Sequence, residues 1–194
     1  MQNLKDCRIC GSLFDSEHFR RSRISCHMKY EQRYACLTRP FRGRPWAITG
    51  LKIANGTLVV LMYIAYPLLL IELYLRHHTL LDPLLQRAFW VPALSFLIVT
   101  VFRRKINRLR PYEAWPIEPL IPRNKHGESM PSRHVFSSTV IAMVYLYVHP
   151  PLGVAFLLVS LLSAVVRVLA GVHYPTDVMA GFVTGVFSGI FLWL

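Results

Sequence analysis

The chain has 194 residues, 54% of them hydrophobic and only 16% charged, with a formal net charge of +12. That is more apolar than an ordinary soluble domain, and the length allows one domain or one domain with a short extension. A soluble nucleic-acid binder is excluded, because the cations are gathered at 1–52 and 103–133 beside long uncharged apolar runs, where they would meet anionic lipid headgroups or phosphate substrates.

Residues 1–52 are polar and basic and hold all the cysteines, Cys7, Cys10, Cys26 and Cys36, with His18 and His27 nearby. Cys7-Arg8-Ile9-Cys10 has the spacing of half a zinc knuckle, but no second pair of that spacing follows; zinc, reduced thiols and disulfides all stay open. The first fifty residues contain no apolar run fit for the core of a signal peptide, so insertion is expected to rely on the first internal span.

Apolar segments follow at 53–75, 84–102, 134–148, 152–170 and 176–194. Crossing ~30 Å of hydrocarbon as a helix takes about 20 residues. The first segment fits, although Pro67 and Glu72 lie inside it, and the third is short unless its helix begins near Met130. The runs are continuous rather than alternating, which excludes a β-barrel. The expected fold is all-α: an integral membrane helical bundle of about five transmembrane helices spanning 53–194, preceded by the basic extension 1–52. In the last segment Gly181, Gly185 and Gly189 recur every four residues and line one helix face, which lets another backbone approach closely. Packing inside the bundle is the first reading of that face, and a homodimer contact is the alternative.

The connection at 103–133 is longer, more cationic and richer in proline than a simple link between spans requires. It belongs to three polar clusters at helix ends, which crossing order puts on one side of the membrane. The first comprises Arg103, Arg104, Lys105, Arg108, Arg110 and Pro111. Arginine matches phosphate oxygens with a planar fork, although taken alone such a cluster reads first as a basic flank anchoring the span on anionic lipid. The second is Ser129-Met130-Pro131-Ser132-Arg133-His134, with Ser129 a candidate N-cap of the next helix. The free amides of a first turn attract anions, and His134 adds a group that titrates near neutrality. The third is Arg167 followed by His173-Tyr174-Pro175-Thr176-Asp177. Pro175 marks a helix start, so Asp177 falls in its first turn, within reach of one imidazole nitrogen of His173. A carboxylate there fixes the tautomer and leaves the other nitrogen as a nucleophile. No cluster of carboxylates suited to Mg²⁺ accompanies these groups, so neither a metal nor another cofactor is expected. The chemistry implied is phosphoryl transfer through a histidine.

Together these residues resemble the type 2 phosphatidic acid phosphatases, the lipid phosphate phosphatases related to vanadium haloperoxidases. That family carries Lys, six residues, Arg-Pro; then Pro-Ser-Gly-His; then Ser-Arg, five residues, His, three residues, Asp. Here Arg103 stands for the lysine ahead of Arg110-Pro111, Arg133 replaces the glycine between Ser132 and His134, and Val166 replaces the serine before Arg167, His173 and Asp177. The resemblance implies that His173 attacks phosphorus, Asp177 holds its ring, and His134 acts as general acid and base. It also implies that Arg103, Arg110, Ser132, Arg133 and Arg167 hold the phosphate, with Lys105 able to substitute for Arg103. The expected substrate is a membrane lipid phosphate or a polyprenyl or lipid pyrophosphate, met in the bilayer of a bacterial cytoplasmic membrane. A lipid-linked phosphotransferase and a catalytically silent binder of phospholipid headgroups are the alternatives. The family usually has six spans, one more than the apolar segments here, and usually acts on the extracytoplasmic side. Of 22 Lys and Arg, only Arg76 and Arg87 lie on the other face, so charge bias instead turns the site toward the cytoplasm.

Overall fold

The computed structural model describes residues 30–194. Cys7, Cys10, Cys26 and the half knuckle they suggest lie outside the described residues. The described chain forms seven helices in the order α1 (Tyr30–Thr38), α2 (Pro45–His77), α3 (Pro83–Ile106), α4 (Pro111–Ala114), α5 (Arg133–Val148), α6 (Pro150–Leu169) and α7 (Pro175–Ile190), with no strand among the described residues. Proline opens α2, α3, α4, α6 and α7, where its missing N–H would have no intrahelical partner anyway. Asp82 caps α3 by accepting from the amides of Leu84 at 2.9 Å and Leu85 at 3.3 Å. The left-handed residues His78 (φ 53°) and Asn107 (φ 41°) end α2 and α3.

Each of the five apolar segments of the sequence is a helix, although α2 starts at Pro45, ahead of the expected 53. By length and composition α2, α3 and α6 are apolar enough to cross a membrane, and their outward side chains include Leu97, Ile98, Leu158 and Leu162. Apolar surface of that extent suits lipid rather than water, and the chain is a multi-pass membrane protein. α5 and α7 have 16 residues each, which makes them about 24 Å long. α5 can be short because it is the core of the bundle: it packs against α2, α3, α6 and α7, and its residues Val135, Phe136 and Val140 are almost completely buried.

The α5–α7 contact decides between the two readings of the glycine face. Gly181, Gly185 and Gly189 are buried against α5 of the same chain rather than presented to a second copy. A Cβ at these positions would lie 2.7 Å from the Ser132 carbonyl oxygen, 2.6 Å from Thr139 Cβ and 2.4 Å from Met143 Cβ. The close approach that a small-residue face permits is therefore used inside the bundle. It holds the N-terminal ends of α5 and α7 together, and the Ser132 amide donates across them to the Asp177 carbonyl at 2.9 Å.

α1 lies on the same end of the bundle. Tyr34 is buried, donates its hydroxyl to the Leu169 carbonyl at 3.1 Å and accepts from the Leu120 amide at 3.3 Å. One phenol thus ties the end of α6 to the 107–132 loop. Gly171 (φ +75°) lets it approach, since a Cβ there would sit 2.5 Å from the phenol oxygen.

Candidate active site

A cavity of about 180 Å³ opens at this end of the bundle, and it collects side chains from all three sequence clusters. Arg103 comes from the last turn of α3, Arg110 from the loop, Arg133 and His134 from the first turn of α5, Arg167 from the end of α6, and His173 from the α6–α7 turn. Arg123 and Lys125, from the loop, complete the cationic wall. Lys105 is exposed, and Ser132 is fully buried at the α5 terminus without lining the cavity. Among the described residues, the Ser132 hydroxyl has no hydrogen-bond partner, and the Nε of Arg167 is likewise buried without one.

The loop is built to hold these cations in place. The Glu113 carboxylate accepts from the Arg110 amide at 2.8 Å and the Gly127 amide at 2.9 Å, and it pairs with His126 Nδ1 at 2.9 Å. Gly127 (φ +58°) is required, because a Cβ there would lie 2.2 Å from Asn107 Oδ1. Arg110 donates through Nε to the Gly127 carbonyl at 3.0 Å, and Arg103 donates to the carbonyls of Pro131 and Glu128. A buried guanidinium needs acceptors for its N–H groups, and backbone carbonyls supply them here. Both arginines therefore brace the loop as well as line the cavity. Burial lowers Arg110 from its ordinary pKa. Partial burial, then the neighbouring Arg133, lowers Lys125 against the pull of Glu128. Such crowding of like charge is relieved when an anion enters.

Beneath the cavity lies the polar group that carries His173. His173 and Asp177 are both buried, and Nδ1 of the imidazole is 3.7 Å from Asp177 Oδ2, beyond hydrogen-bond distance. The Ser129 hydroxyl lies between them, 2.5 Å from Oδ2 and 3.4 Å from Nδ1. Ser129 is thus not the α5 cap expected from the sequence: α5 begins at Arg133 with Ser132 in the N-cap position, and the Ser129 side chain turns to the carboxylate. Asp177 also accepts from the Tyr174 amide at 3.0 Å and, through Oδ1, from Arg108 at 2.8 Å. The Arg108 guanidinium lies over the Tyr174 ring, 4.4 Å from its centroid. Burial pushes His173 down to about 4, against the upward pull of Asp177. The imidazole is therefore neutral near pH 7, with a lone pair available.

In the sequence Arg108 belongs with the basic flank and Ser129 with the helix cap, and no motif marks Arg123 or Lys125. The stretch Pro122-Arg123-Asn124-Lys125-His126 signals a cationic loop, but irregular chain has no period from which the inward side chains can be read.

Comparisons with known proteins bear on the family and the fold. A family model described as the PAP2 superfamily matches residues 84–194. A lipid A 1-phosphatase of Rhizobium johnstonii (strain DSM 114642 / LMG 32736 / 3841) is 30% identical over 101 residues, covering 50% of this chain and 41% of the relative. The chain thus spans less than half the length of that relative. Undecaprenyl-diphosphatase BcrC of Bacillus subtilis (strain 168) is 28% identical over 156 residues, covering 74% of this chain and 77% of the relative. Two crystal structures share the fold over 84% of this chain. LpxE of Aquifex aeolicus has a TM-score of 0.62 at 22% identity with 93% of its own chain covered. The first transmembrane PAP2-type phosphatidylglycerolphosphate phosphatase from Bacillus subtilis has 0.63 at 20% identity with 83% covered.

Proposed function

The chain belongs to the PAP2 superfamily, and from that premise we propose that it hydrolyses a lipid phosphate or a lipid pyrophosphate through a phosphohistidine, without a metal ion. The observation that carries the reading is the sharing of one cation-lined cavity by His134 and His173, with His173 neutral and its Nδ1 side occupied by the Ser129–Asp177 pair. His134 also lines a narrow crevice between α2, α5 and α6, where Leu58, Val59, Met62 and Ile141 stand beside Ser137, Ser138 and Ser163 and most of the open surface is apolar. A phosphate in the cationic cavity with an apolar tail leaving past His134 fits a lipid ester better than a sugar phosphate. The lipid A and undecaprenyl substrates named for the relatives belong to that class.

In the first step Nε2 of His173 attacks phosphorus. The N–P bond forms as the bond to the ester oxygen breaks, and His134 gives that oxygen its proton. In the second step His134 takes a proton from water, the water oxygen attacks phosphorus, and the N–P pair returns to His173 with release of orthophosphate. Arg133 and Arg167 face the equatorial oxygens, with Arg103 and Arg110 fixed beside them. Cations held in advance stabilise charge as it develops without reorganising at that moment. Ser132 contributes through its place at the α5 terminus.

The test is phosphate release by the detergent-purified protein from lipid monophosphates and diphosphates in excess chelator, beside His173→Ala. Release that survives chelation and falls by at least about 10³-fold in His173→Ala is expected for loss of a nucleophile. Release that persists in His173→Ala, or that needs a divalent ion, overturns the reading.

A further inference from the structure

The signature residues account for His134, His173 and Asp177 but leave Ser129, fully buried three residues ahead of Ser132, without a part. We propose that Ser129 is a positioning residue of the reaction: its hydroxyl, set between the Asp177 carboxylate and Nδ1, joins Asp177 in holding the His173 ring and setting its tautomer. The inference rests on the reading of His173 as nucleophile.

Among the described residues, the Ser129 hydroxyl is the polar atom within hydrogen-bond distance of His173 Nδ1, at 3.4 Å, while the nearest Asp177 oxygen is 3.7 Å away. That carboxylate is already committed. Its Oδ1 accepts from Arg108 at 2.8 Å, and its Oδ2 accepts from the Tyr174 amide at 3.0 Å and from Ser129 at 2.5 Å. A hydroxyl has one proton to donate. With that proton directed to a carboxylate, which only accepts, the Ser129 oxygen can serve the imidazole only as an acceptor. Nδ1 must then carry hydrogen, and Nε2 must hold the lone pair that faces phosphorus. The polarity runs from Nδ1–H to Ser129 Oγ and from Ser129 O–H to Asp177 Oδ2, and no proton has to move along it. As Nε2 bonds to phosphorus the ring gains positive charge, and the Ser129 oxygen, polarised by the carboxylate, stabilises it through Nδ1–H.

Ser129→Ala removes the intermediate acceptor and leaves Nδ1 with the carboxylate 3.7 Å away. Loss of one hydrogen bond to a charged group corresponds to a drop in kcat of roughly 10- to 100-fold. KM should stay within about twofold, since ground-state phosphate contacts are untouched. In an Asp177→Asn background, Ser129→Ala should add less than about threefold, because the two groups act through one path. An unchanged kcat, a loss confined to KM, or full additivity with Asp177→Asn overturns the proposal. If Ser129→Ala does not fold, the near-isosteric Ser129→Cys, whose sulfur is only a weak acceptor, decides: a kcat loss of about tenfold supports the relay, and an unchanged kcat overturns it. His173→Ala separates the two layers of the argument. Phosphate release retained in that variant defeats the nucleophile itself, whereas release lost there but unchanged in Ser129→Ala defeats only the relay.

Discussion

Replacing Gly181 with alanine puts a methyl carbon 2.7 Å from the Ser132 carbonyl oxygen and 3.3 Å from the amides of Ser132 and Phe136. All three atoms are backbone, so no side chain can swing aside. A comfortable carbon–oxygen contact is about 3.3 Å or more, so α7 and α5 must part by roughly 0.6 Å at this crossing. Two costs follow. Overpacking of this kind destabilises by about 1–3 kcal/mol. The displacement also falls between the α5 terminus that carries Arg133 and His134 and the α7 turn that carries Asp177. A 1 Å misplacement can cost about 10²-fold, so a shift of half that size should lower kcat by about tenfold. Gly56→Ala is the control, because nothing lies within 4 Å of a Cβ there and α2 should gain slightly from a better helix former. Thermal unfolding in detergent and single-turnover phosphate release, measured on both variants, check the pair. Gly181→Ala with the melting temperature and kcat of the parent would refute the argument that this face sets the site. A change in oligomeric state, with both of those values kept, would instead return the glycines to a dimer contact.

Three further outcomes are expected. Burial holds His173 near 4, so it gains a proton only as pH falls through that value and stays neutral from pH 5 upward; ¹³C NMR of labelled histidine, assigned with His173→Ala, should show no His173 transition near 6.5. Arg108→Gln deprives Asp177 Oδ1 of its 2.8 Å ion pair and should lower kcat by about tenfold, with Arg108→Lys intermediate in the same phosphate-release assay. Tyr34→Phe removes the hydroxyl that joins Leu169 to Leu120 and should cost about 1–2 kcal/mol, read as a lower melting temperature.

Much of the architecture is legible in one dimension. Uninterrupted apolar runs specify membrane helices because lipid offers no partner for a bare backbone, and a helix satisfies its own N–H and C=O groups within the segment. Prolines at 45, 83, 111, 150 and 175 mark helix starts for an equally local reason. Crossing order alone brings Arg103, His134, Arg167 and His173 to one face, and those side chains do line one cavity. What the chain pattern leaves undecided is every choice made between distant segments. The glycine face could meet any helix, and only the packed bundle assigns it to α5. Arg123 and Lys125 line the cavity because Glu113 and Gly127 fold an aperiodic loop back onto Arg110. Ser129 does not cap α5 because its hydroxyl is turned to a carboxylate 48 residues away, to which it donates a charge-assisted hydrogen bond. Periodicity reports neighbours along one helix, whereas these partners are chosen by contacts that exist only once the helices have docked.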